Sequence, residues 1–87
     1  MPGSIRVLYF AWLREKIGQG EEVLALPEDV TTPRAVIAWL RRRGGGYEAA
    51  FANEALIRCA VDQEFCGLGT PLGAAREIAF FPPVTGG

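Results

Sequence analysis

The stretch TTPRAVIAWLRRRGGG, residues 31–46, decides how the rest of the chain is read, because it is the strongest helical signal present. Thr32 offers a hydroxyl to the free N–H groups of a first turn, and Pro33 suits the first helical position, whose N–H has no intrahelical partner. Val36, Ile37 and Leu40 recur at the spacing of one helix face, with Ala35 and Trp39 beside them. Arg41, Arg42 and Arg43 fall in the last turn, where positive charge offsets the negative end of the helix dipole, a reading preferred here to a specific anion site. Gly44, Gly45 and Gly46 are expected to end the helix.

Outward from this helix the period changes from 3.6 to 2. IRVLYF, residues 5–10, alternates as a strand. AWLREKIGQG, residues 11–20, suggests a short helix with Trp12, Leu13 and Ile17 about a turn apart and Gly18 and Gly20 as its left-handed stop. EEVLAL, residues 21–26, is a second strand ended by Pro27. The connection between the two strands is too short for an ordinary parallel crossover, so an antiparallel pair is expected. Beyond the main helix, YEAAFANE, residues 47–54, is expected as a loop with a helical turn. LIRCAVD, residues 56–62, is a third strand, QEFCG, residues 63–67, a short or edge strand, GTPLGAA, residues 69–75, a turn-rich link, and EIAFF, residues 77–81, the last strand.

One main helix among four or five strands implies an α+β domain with a mixed sheet covered on one face. Val7, Tyr9, Ile57, Cys59, Val61, Ile78 and Phe80 are assigned to the helix side. Leu8, Phe10, Ala79 and Phe81 take the other side, with Phe65 from the short strand. An exposed apolar patch on a small domain marks a partner surface more often than chance, so Phe10, Phe65 and Phe81 are candidate contact residues.

Composition narrows the function. Eighty-seven residues, 49% hydrophobic, build one core. That leaves little room for a deep cleft, which disfavours a self-contained enzyme. The net charge is −1 and the isoelectric point about 5.3, so nucleic acid is not an expected partner. There is no histidine, hence no imidazole base or metal ligand, and no metal site is expected. Lys16 is the only lysine, which argues against chains built through many lysines. Cys59 and Cys66 lack metal-site spacing and read as free thiols in a reducing compartment. No stretch is apolar for long enough to span a membrane and no signal peptide opens the chain, so no membrane partner and a cytoplasmic location are expected.

The chain closes with FFPPVTGG, residues 80–87. Pro82 and Pro83 have no N–H and cannot extend a strand ladder, so the chain should leave the sheet as a stiff strut. The six residues 82–87 reach roughly 20 Å at about 3.3–3.6 Å each. Gly86 and Gly87 lack side chains and can enter a channel that any Cβ would block. What reaches the end of such a channel is an α-carboxylate. Adenylation by ATP would turn it into a reactive mixed anhydride, and a sulfur donor could then make it a thiocarboxylate.

This ending resembles that of the molybdopterin synthase small subunit, the MoaD family. VLYFAWLRE, residues 7–15, is similar to that family's opening motif, and AVDQE, residues 60–64, fits its third strand and following turn. The resemblance covers roughly residues 4–87; the GGG after the main helix and the MPG at the start depart from it. It implies a ubiquitin-like β-grasp fold over 1–81 with a tail at 82–87. It implies further that Gly87 is adenylated by a ubiquitin-activating-type enzyme at the expense of ATP, with no permanently bound cofactor. A sulfur donor enzyme then makes the thiocarboxylate. The tail, with Pro82, Pro83, Val84, Thr85 and Gly86, would enter the large synthase subunit and give sulfur to cyclic pyranopterin monophosphate, two small subunits flanking two large ones. The small subunit alone would be non-catalytic. Two other readings are a sulfur carrier for thiazole or thiolated-nucleoside synthesis, and an interaction module with no chemistry at its end.

Overall fold

The computed structural model describes residues 4–83. Five strands form one mixed sheet in the order β2-β1-β5-β3-β4: β1 Ser4–Tyr9, β2 Glu21–Ala25, β3 Arg58–Val61, β4 Glu64–Cys66 and β5 Glu77–Phe81. β1 pairs antiparallel with β2 and parallel with β5, and β3 pairs antiparallel with both β5 and β4. The expected wide hairpin between the first two strands is therefore present, with the helix α1, Ala11–Ile17, inside it. Gly18 ends α1 at φ +93°, its N–H donating to the Arg14 carbonyl at 2.8 Å.

The main helix α2 spans Pro33–Arg41 and starts as the sequence requires. The Thr32 hydroxyl accepts from the Ala35 N–H at 3.1 Å, and Val36, Ile37 and Leu40 are buried against the sheet. It ends earlier than residue 46, and the glycines do something other than stop it. Gly44, at φ +72°, turns the chain, and Gly45 and Gly46 lie inside a further helix, α3, Gly45–Ala50. A Cβ at Gly46 would collide with the Lys16 carbonyl oxygen. The bare backbone there lets α3 settle on the end of α1, so a third helix stands where a loop with a turn was expected.

α3 also explains a core residue absent from the sequence reading. Phe51, at its C-cap, is fully buried and stacks edge-to-face on Phe80 at 5.3 Å and on Tyr9 at 6.3 Å between ring centroids. Such geometry adds about 0.5–1.5 kcal/mol per pair beyond area burial. Of the helix-side set, Val7, Tyr9, Ile57, Cys59, Ile78 and Phe80 are buried and Val61 is half-buried at the sheet margin.

Several strand boundaries differ from expectation by a residue or two, and at three of them the cause is visible. Phe10 lies beyond β1 and serves as the N-cap residue of α1, because the chain turns sharply at Ala11, φ +55°. Leu56 belongs to a single 3-10 turn, Glu54–Leu56, held by the Asn53 side chain, so β3 begins at Arg58 rather than 56. The strand ends at Val61 because Asp62 and Gln63, both at positive φ, make a two-residue hairpin turn to β4.

The arginine run also divides its work. Arg41 pairs with Glu48 of α3 at 3.0 Å. Arg43, past the helix end, donates to Glu22 of β2 at 3.2 Å and lies 5.0 Å over the Trp39 ring and 5.3 Å over Tyr47. Of the three, Arg41 alone lies within the helix's last turn.

Candidate functional site: the end of the central strand and the open sheet face

β5 occupies the middle of the sheet, and Ile78, Ala79 and Phe80 are buried. Its start is fixed by Asp62, whose carboxylate accepts from the Arg76 and Glu77 N–H groups at 2.9 and 3.1 Å. Its end meets two prolines. The β1 ladder gives out at the same level, where the Phe10 N–H donates to the Phe80 carbonyl at 3.1 Å and β1 turns away into α1. Pro82 and Pro83, both half-buried, thus leave from a strand held on both sides. The prolines therefore follow the central strand of the sheet, which is paired along both of its edges. Val84, Thr85, Gly86 and Gly87 lie outside the described residues.

Register shows what the open face presents. Phe65 stands opposite Ala60, Ala60 opposite Ala79, and Ala79 opposite Leu8, forming one row across four strands. The two alanines are buried although they face away from the helices, because their short side chains lie below larger neighbours. Phe81 is half-buried and opposite Arg58, and its ring sits 5.5 Å from that of Phe65. Phe10 is 47% exposed and Phe65 82% exposed. Phe65 and Phe81 are therefore in contact, while Phe10 follows Tyr9, which pairs with Phe80, and so comes level with Phe81 on the neighbouring strand. Charged residues of both signs surround the apolar row: Arg6 with Glu21 at 3.8 Å, Arg58, and Glu77.

Val23 was missed. It is 69% exposed, opposite Arg6, and extends the apolar character of this face to the β2 edge. Its signal was available: Val23 and Leu24 are successive in a strand, so they cannot share a face, and Leu24 is the buried one.

Behind the sheet, Glu22 gathers a polar cluster. Its carboxylate accepts from the Tyr9 hydroxyl at 2.7 Å, the Tyr47 hydroxyl at 2.6 Å and the Arg43 guanidinium at 3.2 Å. Burial, then the Glu22 carboxylate, pushes both tyrosines above their ordinary value, so the hydroxyls stay protonated donors. The cluster fastens β2 to α3 and to the end of α2; it is structural and distant from the open face.

A groove of about 800 Å³, lined in part by Ile5, Leu26, Val30, Leu72 and Arg76, opens at the opposite end of β5 from the prolines. Among the described residues no group of three or more Cys, Asp or Glu is placed to hold a metal ion, and no helix is long and apolar enough to cross a membrane.

Residues 7–87 match the model of the ThiS family. The molybdopterin synthase sulfur carrier subunits of Haemophilus influenzae and Escherichia coli are 37% and 35% identical to the chain, each over 95% of it and 99% of their own length. That of Mycosarcoma maydis is 33% identical over 97% of this chain and 94% of its own. Among solved structures, molybdopterin converting factor subunit 1 of Pyrococcus furiosus superposes with a TM-score of 0.73 at 27% identity, over 93% of this chain and 98% of that one. SAMP1 of Haloferax volcanii gives 0.70 at 26%, over 98% and 100%. The five-stranded mixed sheet is thus a ubiquitin-like β-grasp, and the chain belongs to the ThiS/MoaD family, as its opening motif and tail imply.

Proposed function

We propose that the protein is the sulfur carrier subunit of molybdopterin synthase, acting through Gly87. The observation that carries this reading is the run of relatives bearing that name at 33–37% identity across nearly the whole chain. The anchoring of β5 in the centre of the sheet, directly before Pro82 and Pro83, supports it: a reactive end delivered at a fixed distance needs a rigid root.

The Gly87 carboxylate attacks the α-phosphate of ATP on a ubiquitin-activating-type enzyme, releasing pyrophosphate and forming an acyl adenylate. A sulfur donor enzyme displaces AMP, and the product is a thiocarboxylate. The loaded tail then enters the large synthase subunit, where its sulfur bonds to cyclic pyranopterin monophosphate and water cleaves the acyl–sulfur bond, leaving the sulfur on the pterin and regenerating the carboxylate. The groups that activate the pterin belong to the large subunit, so the carrier alone has no turnover. Two carriers flank a dimer of large subunits, in the cytoplasm. Phe65 and Phe81, with Phe10 and the exposed Val23, form the docking face, and the charged rim sets its orientation.

The test is intact mass after incubation with the activating enzyme, ATP and a sulfur donor. The full chain should exchange one oxygen for sulfur at its terminus and then support pterin sulfuration. A chain lacking Gly87 should keep the fold and lose sulfur transfer. A truncated chain that still supports sulfuration would sink the proposal.

A further inference from the structure

β4 is three residues long and stands at the sheet edge, so among the described residues one side of its backbone has no neighbouring strand. It carries Phe65 and is held to β3 through the Asp62–Gln63 turn and three residue pairs, of which Cys59 opposite Cys66 is the last. The two sulfurs lie 3.8 Å apart. Cys59 is buried and Cys66 half-buried. Residues directly opposite in an antiparallel pair have Cα atoms about 4.5–5.5 Å apart, inside the span of roughly 4.4–6.8 Å that a disulfide bridges. The thiols therefore need only to close to about 2.05 Å, without the strands moving past one another.

We propose that Cys59 and Cys66 form a redox-active dithiol, which a small-molecule disulfide oxidises to a cross-strand disulfide that fastens the edge strand carrying Phe65. The half-exposed Cys66 reacts first. Its thiolate attacks one sulfur of the oxidant, releases one small thiolate and leaves a mixed disulfide on Cys66. Cys59 then gives up its proton and attacks the Cys66 sulfur, releasing the second thiolate. The pair loses two electrons and two protons, and the oxidant is reduced to two thiols.

The order of attack follows from environment. Burial, with Cys66 alongside, pushes the Cys59 thiol up to about 12, so its thiolate is scarce and the second step is the slow one. The product brackets Phe65 between two covalent constraints, the two-residue turn on one side and the disulfide on the other. Phe65 leans on Phe81 from this strand, so oxidation restricts the aromatic pair of the open face.

The experiment is incubation of the purified full-length chain with oxidised glutathione, followed by intact mass, peptide mapping and amide hydrogen exchange. The wild type should lose two hydrogens in mass and yield a linked peptide containing Cys59 and Cys66, without a retained glutathione. Cys59→Ser should stop at a stable glutathione adduct on Cys66, and Cys66→Ser should resist modification while folded. Exchange at residues 64–66 should slow by about tenfold in the linked protein. A wild type that keeps glutathione on Cys66, or stays reduced where Cys59→Ser is modified, would overturn the proposal. Unchanged exchange at 64–66 in the linked protein would overturn the fastening.

Discussion

The two faces of this sheet use the same residue types to opposite ends. On the helix-covered face Tyr9, Phe51 and Phe80 meet edge-to-face and are buried. On the open face Phe65 and Phe81 also meet, at 5.5 Å, yet Phe65 is 82% exposed. Phe80 and Phe81 are consecutive, and strand alternation alone sends them to different sides. Aromatic content therefore says nothing about role here. What separates core from exposed surface is whether a second layer covers the face, and the described helices cover only one.

That contrast breaks most visibly at Phe80. Phe80→Ala removes a fully buried ring from the aromatic stack and should cost about 3–5 kcal/mol, read as a fall in urea midpoint at unchanged slope. In a small domain that approaches the whole of its stability. A loss below about 1 kcal/mol would show that the covered face is not the core.

The cover itself is tested at Gly46. Gly46→Ala places a Cβ against the Lys16 carbonyl, so α3 must lift from α1. A loss of about 1–3 kcal/mol is expected, as for overpacking elsewhere. The near-UV signal of Tyr47 should change with it.

A smaller effect is expected from Tyr9→Phe, which deletes a donor to Glu22 while Tyr47 and Arg43 remain. The loss should be about 1.5 kcal/mol at neutral pH. The pH dependence carries a sign. Tyr9 is raised above its ordinary value in the fold, so the folded state holds that proton more tightly than the unfolded chain. Its contribution is present below about pH 10, where an unfolded tyrosine titrates, and declines as pH rises past it. The wild type should lose stability above that pH more steeply than Tyr9→Phe.

The least effect on folding is expected on the open face. Phe65→Ala should change stability by no more than about 0.5 kcal/mol. If Phe65 is a docking residue, the same change should weaken the complex with the large subunit by about tenfold, measured by calorimetry. Large destabilisation with unchanged binding would reverse the assignment of the two faces.

Part of this arrangement was legible in residues close together in the chain. Thr32 and Pro33 mark a helix start by their own chemistry, Gly18 marks a stop, and Pro82 ends a strand because it has no N–H to donate. The resemblance carried by residues 7–15 and 80–87 supplied the family. Reading Gly44 to Gly46 as a stop failed because glycine permits both a turn and a close approach; which of them occurs depends on the position of Lys16 thirty residues earlier. Phe51 was passed over for a related reason. Its neighbours YEAAFANE show weak local periodicity, and its burial comes from Tyr9 and Phe80, contributed by two strands distant in the chain.

By itself, then, the sequence determined the five strands and the first two helices, the two-faced pattern of each strand and the nature of the tail's root. These follow from side-chain alternation, capping and missing donors, all local properties. The tertiary structure alone decided that β5 is central and parallel to β1, that α3 carries Phe51 into the core, and that Cys59 meets Cys66 across a hairpin. Strand order, register and helix docking minimise exposed apolar area over the whole domain, and that quantity has no value until distant segments have met.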